Sequence, residues 1–149
     1  MKRILLVRLS SLGDVLHSFP AATDIRRAFP DAVLDWAVEE AYVPLVRMHP
    51  GVTRAIPFAL RRWRTQWFRP QAWRELAGFR AALRAHPYDA ILDTQGLLKS
   101  ALVAKLARGP VYGFGLGTVR EGLATRCYDT TYEFDPAVHK IERYRAVAA

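Results

Sequence analysis

The segment Ser10-Ser11-Leu12-Gly13-Asp14 sets a carboxylate one residue after a glycine, where the apolar spacing that follows marks the first turn of a helix. Gly13 has no side chain to hold a ligand off the backbone, so it and Ser11 count with Asp14 as contact candidates. A carboxylate in this place could take the proton of an attacking hydroxyl, which is the task of a general base. Aspartate is also favoured in a first helical turn by the helix dipole and by capping alone. The same dipole keeps it ionised and makes it a weaker base. The residue types leave both readings open.

A second cluster is Arg61-Arg62-Trp63-Arg64, with Trp67, Phe68, Arg69 and Arg74 close behind. Guanidinium groups bind phosphate and carboxylate through paired, charge-assisted hydrogen bonds. The interleaved aromatics could stack on a sugar or sit at a lipid interface. A solvated basic face over a tryptophan-rich core contact fits these residues equally well. A third cluster, Thr94-Gln95-Gly96, is followed closely by Lys99; Arg120 lies further on. Lys99 and Arg120 could extend a basic rim, or be ordinary surface residues. Gly113, Gly115 and Gly117 imitate a dinucleotide fingerprint, but their spacing is not G-x-G-x-x-G and they follow a late strand, so a flexible turn is expected. The histidines at 17, 49, 86 and 139 and the single Cys127 lack metal-ligand spacing, and no metal is expected.

The elements that must position these groups alternate. Short branched apolar runs at 2–7, 33–38, 52–58, 89–94, 111–114 and 131–134 read as strands. Between them run helical patterns. One extends from Leu12 to Phe29 with a kink expected at Pro20, and a short one from Glu39 to Met48 is broken or kinked at Pro44. A long one spans 61–86 with Pro70 dividing it, and others start at Leu98, Glu121 and His139. Alternation of this kind predicts an α/β fold, a Rossmann-like doubly wound and mostly parallel sheet flanked by helices, with residues 1–149 as one domain. Ligands of such sheets bind outside the carboxyl ends of the strands. All three clusters follow predicted strands, so they are expected to converge on one rim.

The chain carries 22 basic and 14 acidic residues, a net charge of +8, and lysine only at 2, 99, 105 and 140. An arginine-rich surplus favours anionic partners such as phosphorylated substrates, a membrane surface or nucleic acid. Biased base composition would produce the same excess. No nucleic-acid reading motif accompanies it, so nucleic acid is not the expected partner. No apolar run approaches the roughly 20 residues of a membrane span. Arg8 cuts the opening apolar stretch short of a signal peptide, and an intracellular, cytoplasmic protein is expected. One cysteine agrees with a reducing compartment.

Taken together, Ser10 to His17 with Phe19-Pro20-Ala21, Asp35 to Glu40, Arg61 to Arg64 and Asp93 to Ser100 resemble bacterial lipopolysaccharide heptosyltransferases, and the likeness continues through Arg120-Glu121 to His139 and Glu142-Arg143. The resemblance implies the N-terminal half of a GT-B glycosyltransferase, two Rossmann-like domains facing across a cleft. It implies transfer of heptose from ADP-heptose to a Kdo sugar of the lipopolysaccharide inner core, inverting the anomeric centre, with no metal or other cofactor. Asp14 matches the family's catalytic base. Ser11, Gly13, Arg61, Arg62, Arg64 and Arg120 match the acceptor side, as do, more loosely, Gln95 and Lys99. Kdo-lipid A is then the acceptor, and peripheral contact with the inner membrane is expected. Family members are about twice this length. The resemblance therefore places the nucleotide-sugar domain outside this chain, and these residues alone are expected to transfer nothing. Transfer to a heptose acceptor, and a non-catalytic module for anionic lipid or nucleic acid, are the rival readings.

Overall fold

The computed structural model describes residues 2–135 and 137–149. Its strands are β1 (Arg3–Val7), β2 (Val33–Glu39), β3 (Arg54–Phe58), β4 (Ala90–Asp93), β5 (Val111–Phe114) and β6 (Thr130–Tyr132). They form one six-stranded sheet in the order β3-β2-β1-β4-β5-β6, and every pairing is parallel. Parallel neighbours need crossover connections, and the crossover helices cover both faces. Central β1 is therefore buried on both sides, and Ile4 to Val7 are all apolar and all buried. Alternation along the strands divides the core. Ile4, Leu6, Leu34, Trp36 and Val38 pack with Val15, Ala22 and Ile25 on one side of the sheet. Leu5, Val7, Ala37, Ile56 and Ile91 pack with Trp63, Phe79 and Leu83 on the other.

The helices are α1 (Leu12–His17), α2 (Phe19–Ala28), α3 (Val43–Arg47), α4 (Leu60–Thr65), α5 (Pro70–Arg84), α6 (Leu98–Leu106) and α7 (Lys140–Ala148), with 3-10 turns at Glu40–Tyr42 and Gly122–Cys127. Where one kinked helix was expected over 12–29, there are two, divided at Ser18. Pro20 does not bend a helix; it stands in the first turn of α2, where its missing N–H is not needed. Pro44 and Pro70 likewise open α3 and α5. The strand expected from Val52 begins at Arg54, and the last strand ends at Tyr132, two residues earlier than its apolar pattern. Gly113 lies inside β5 rather than in a turn. A Cβ there would come within 2.4 Å of the Tyr128 ring, so the glycine lets Tyr128 lie flat on the strand. Among the described residues no helix is long and apolar enough to cross a membrane.

The order of the strands reverses between β1 and β4. The crevice at their carboxyl ends is where such sheets hold ligands. Backbone pairing keeps the chain leaving β1 in place there: Arg8 N donates to Ala37 O at 3.2 Å and Glu39 N to Leu9 O at 3.0 Å.

Candidate active site

At this crevice Arg8 follows β1 directly, and it is only 2% exposed. Its guanidinium donates to Thr94 O, lies 4.7 Å from the centroid of the Tyr144 ring, and ion-pairs with Asp14 Oδ2 at 3.0 Å. Lys140, at the start of α7, reaches Asp14 Oδ1 at 3.5 Å, and Ser11 Oγ donates to Oδ2 at 3.3 Å. Helix α7 is tied to α2 by Arg145 against Asp24 at 2.5 Å, which places Lys140 over the site. Burial by itself would raise the Asp14 carboxyl. The charges of Arg8 and Lys140, with hydrogen bonds from Arg8 and Ser11, carry it below its ordinary value. Asp14 is thus held ionised with a cation at each oxygen. His17, one turn on, stands edge-on to His139, and its buried Nδ1 has no hydrogen-bond partner among the described residues.

The loop after β4 forms the facing wall. Gln95 is nearly buried, and its Oε1 accepts from Leu9 N at 2.8 Å and Ser10 N at 3.3 Å, so it clamps the loop that carries Asp14. Asp93 supports it from below. This carboxylate accepts from Tyr128 Oη (2.6 Å), Gln95 N (2.9 Å), Ser100 Oγ (2.9 Å) and Gly96 N (3.3 Å). Burial pushes the Asp93 carboxyl up in spite of those four donors. Gly96 takes the left-handed conformation, φ 71°, that the tight turn requires. Asp93→Ala would leave buried donors without an acceptor, and a loss of about 3 kcal/mol or more is expected, read as a lower urea midpoint. An unchanged midpoint would mean that the loop is held by other contacts.

Glu121 brings in the next loop: its N donates to Gly96 O at 3.1 Å and its Oε2 accepts from Leu98 N at 2.7 Å. Its neighbour Arg120 thereby faces a cleft of about 270 Å³ lined by Arg8, Gln95, Arg120, Lys140, Arg143 and Tyr144, with Thr94, Phe114 and Thr118. Among the described residues four cationic side chains line it, and no acid does. Asp14 stands beside it, bound to two of the four. Cations grouped in this way attract anions, and the ionised Asp14 carboxylate lies beside them.

Of the residues singled out from sequence, Ser11, Asp14, Gln95 and Arg120 gather here, with Gly13 between Ser11 and Asp14. Lys99 stands at the edge, its Nζ 3.5 Å from Ser10 Oγ. The arginine cluster lies further along the rim, on α4. Arg62 is held between Glu40, which it meets through two hydrogen bonds at 3.1 and 3.0 Å, and Glu75 at 2.6 Å. That contact and a hydrogen bond from Trp63 Nε1 lower the Glu75 carboxyl to about 2. Arg61 and Arg64 are exposed. Glu39 links the two regions, since its burial-raised carboxyl feels the charges of both Lys99 and Arg61. Arg8, Thr118, Lys140 and Tyr144 were not anticipated as site residues. The available signal for Arg8 was a charged residue immediately after the apolar run from Ile4 to Val7. The other three had none: α7, with Lys140 and Tyr144, reaches the cleft only through tertiary packing, and Thr118 enters on the loop after β5. Among the described residues no group of three or more His, Cys, Asp or Glu side chains could hold a metal ion.

The sheet is Rossmann-like, with a cationic cleft at its switch point, and residues 76–149 match the model of glycosyltransferase family 9 (heptosyltransferase). The chain belongs to this heptosyltransferase family. It is 45% identical over 148 residues to lipopolysaccharide heptosyltransferase 1 of Salmonella typhimurium, a match covering 99% of this chain and 47% of that protein. Two solved structures of the E. coli heptosyltransferase WaaC, one with ADP and one with ADP-2-deoxy-2-fluoro heptose, share the fold with TM-scores of 0.93 and 0.92. Each is 43% identical and is matched over 98% of this chain and over 46% and 47% of its own. The chain thus spans about half the length of these relatives and corresponds to their N-terminal part.

Proposed function

We propose that this chain is the acceptor-binding domain of an enzyme that transfers heptose from ADP-heptose to a Kdo sugar of the lipopolysaccharide inner core. The observation that carries the reading is Asp14, kept ionised by Arg8 and Lys140 beside a cationic cleft at the switch point. The Kdo carboxylate is met by Arg120 and its cationic neighbours, which turns an acceptor hydroxyl toward Asp14. As that oxygen attacks the anomeric carbon of heptose, its proton passes to the Asp14 carboxylate. The bond from the anomeric carbon to the ADP oxygen breaks on the opposite side, so the centre is inverted and ADP leaves with the electron pair. The nucleotide is held mainly by a second Rossmann-like domain, for which the greater length of the relatives leaves room. Bringing donor and acceptor into line is itself a large share of the rate enhancement, so this domain by itself transfers no sugar.

The test is competition between Kdo-lipid A and an already heptosylated core for ADP-heptose, in the enzyme with both domains. Kdo-lipid A is expected to be consumed first. Preference for the heptosylated core would move the acceptor assignment to the rival branch of the family. In the same assay Arg120→Ala is expected to raise the KM for Kdo-lipid A about tenfold to a hundredfold, the effect of one lost hydrogen bond to a charged group. An unchanged KM would remove Arg120 from the acceptor site.

A further inference from the structure

The two cations on Asp14 are held in unequal ways. Arg8 is enclosed, its side chain 3% exposed, and its guanidinium is fixed by Thr94 O and the Tyr144 ring. The Lys140 side chain is 60% exposed and meets Asp14 across 3.5 Å, long for a charge-assisted contact. They also take different oxygens. Arg8 and Ser11 both donate to Oδ2, whereas Lys140 faces Oδ1. The ammonium therefore stands on the oxygen that Arg8 and Ser11 leave open, and the same side chain lines the cationic cleft. Its main chain has no need to move between the two places. Lys140 opens α7, which His139 caps by accepting from Ile141 N at 3.3 Å, and which is docked by Arg145 on Asp24 and Tyr144 on Phe114. Only the four-carbon stem has to turn, and lysine carries its charge as a point on such a stem.

We infer that Lys140 determines acceptor specificity by covering Asp14 Oδ1 until an acceptor with its own carboxylate draws the ammonium away and uncovers that oxygen for the acceptor hydroxyl. The inference rests on the reading of the cleft as an acceptor site and names how that site chooses. A pair with so exposed a partner is weak, so a second anion competes for Lys140. Arg8, buried and fastened on two further sides, stays and keeps Asp14 in place. The uncovered Oδ1 accepts the hydroxyl's hydrogen bond, and then its proton as the hydroxyl oxygen attacks. Departure of the ammonium has a second effect. Against burial, which would raise it, Arg8 and Lys140 hold the Asp14 carboxyl below its ordinary value, so removal of Lys140 makes the carboxylate a stronger base once the acceptor is seated. A neutral sugar of the same shape brings no anion. Lys140 then remains on Oδ1, and the base stays covered in a filled site.

The test uses the two-domain enzyme and two acceptors, Kdo-lipid A and the same molecule with its Kdo carboxyl groups converted to carboxamides, so that the lipid A phosphates are common to both. Single-turnover rates at saturating acceptor separate the chemical step from binding and product release. The unaltered enzyme is expected to turn over the carboxamide about fivefold more slowly, the factor set by a weak ion pair that must break without replacement. In Lys140→Met that ratio should fall to near one, while the KM for Kdo-lipid A rises about tenfold. The pH–rate profiles give a second reading. In the unaltered enzyme the acid limb for the carboxamide should lie at lower pH than that for Kdo-lipid A, because Lys140 still lowers Asp14; in the variant the two limbs should coincide. Arg8, Arg120 and Arg143 in the cleft, with Tyr144, and His17 and His139 near Asp14 are common to both acceptors and cancel in the comparison. A side chain that only props α7, or binds the acceptor equally throughout the reaction, would move KM and leave the rate ratio and the limbs as they were. That result, or a ratio near one in the unaltered enzyme, would overturn the inference alone. Failure of the unaltered enzyme to consume Kdo-lipid A would overturn the acceptor reading and this inference with it.

Discussion

Asp14→Asn is expected to lower heptose transfer by about a hundredfold to ten-thousandfold while acceptor binding and fold are retained, the range that a positioned general base contributes. Asparagine keeps the size of the side chain and its hydrogen bond from Ser11, but it cannot take up the proton released by the attacking hydroxyl. The change also removes the acid from two ion pairs, with Arg8 at 3.0 Å and Lys140 at 3.5 Å. These cations then stand beside a neutral group, so binding of an anionic acceptor is expected to hold or tighten. A fall confined to kcat is the signature sought, with transfer measured in the two-domain enzyme and acceptor binding by calorimetry. If transfer is undiminished, Asp14 has no part in the proton transfer; if binding is lost along with turnover, its role is placement rather than chemistry.

The second large effect is expected at Arg8. Arg8→Met keeps a stem of similar length and removes the charge that lies closest to Asp14. An opposite charge at this distance lowers a carboxyl, so its loss should raise that of Asp14. A base works when ionised. The acid limb of the pH–rate profile, which falls as Asp14 gains its proton, should therefore move to higher pH in the variant. Stability provides an independent reading. The folded-state pKa of Asp14 is depressed, so its pairing stabilises the fold above the ordinary aspartate value near 3.9, and that contribution is lost as pH falls through the lower, folded value. At neutral pH Arg8→Met is expected to cost about 2 kcal/mol, the order of lost hydrogen bonds at a charged group, the one to Thr94 O included. The part of the gap that comes from Asp14 should close as the pH drops below about 4. A pH–rate profile and a pH-dependent stability gap both unchanged from the original would show that Arg8 does not set the state of Asp14.

Much of the scaffold was legible beforehand because its signals are local. A strand buried on both faces by parallel neighbours must be apolar throughout, and Ile4 to Val7 reads as such. Residues that follow the strands must come to one edge, so Asp14 and Gln95 could be assigned to the same rim. The prolines were harder to read. Pro20 within an apolar spacing of 3.6 resembles a kink, and only the break at Ser18 shows that it opens a new helix.

The amino-acid sequence by itself determined the parallel α/β sheet, the rim on which the candidate residues gather, and the glycine-aspartate pair in its first helical turn, since each follows from periodicity or from neighbours within one helical turn. Tertiary structure alone decided which charges meet. Arg8 looked like the end of a strand and became the partner of Asp14; Arg62 looked available to an anion and is held by Glu40, 22 residues away, and by Glu75. Lys140 comes to Asp14 across more than a hundred residues because α7 packs against α1 and α2. Ion pairs depend on distance in space and on the local exclusion of water. Spacing along the chain reports neither until the helices are docked on the sheet.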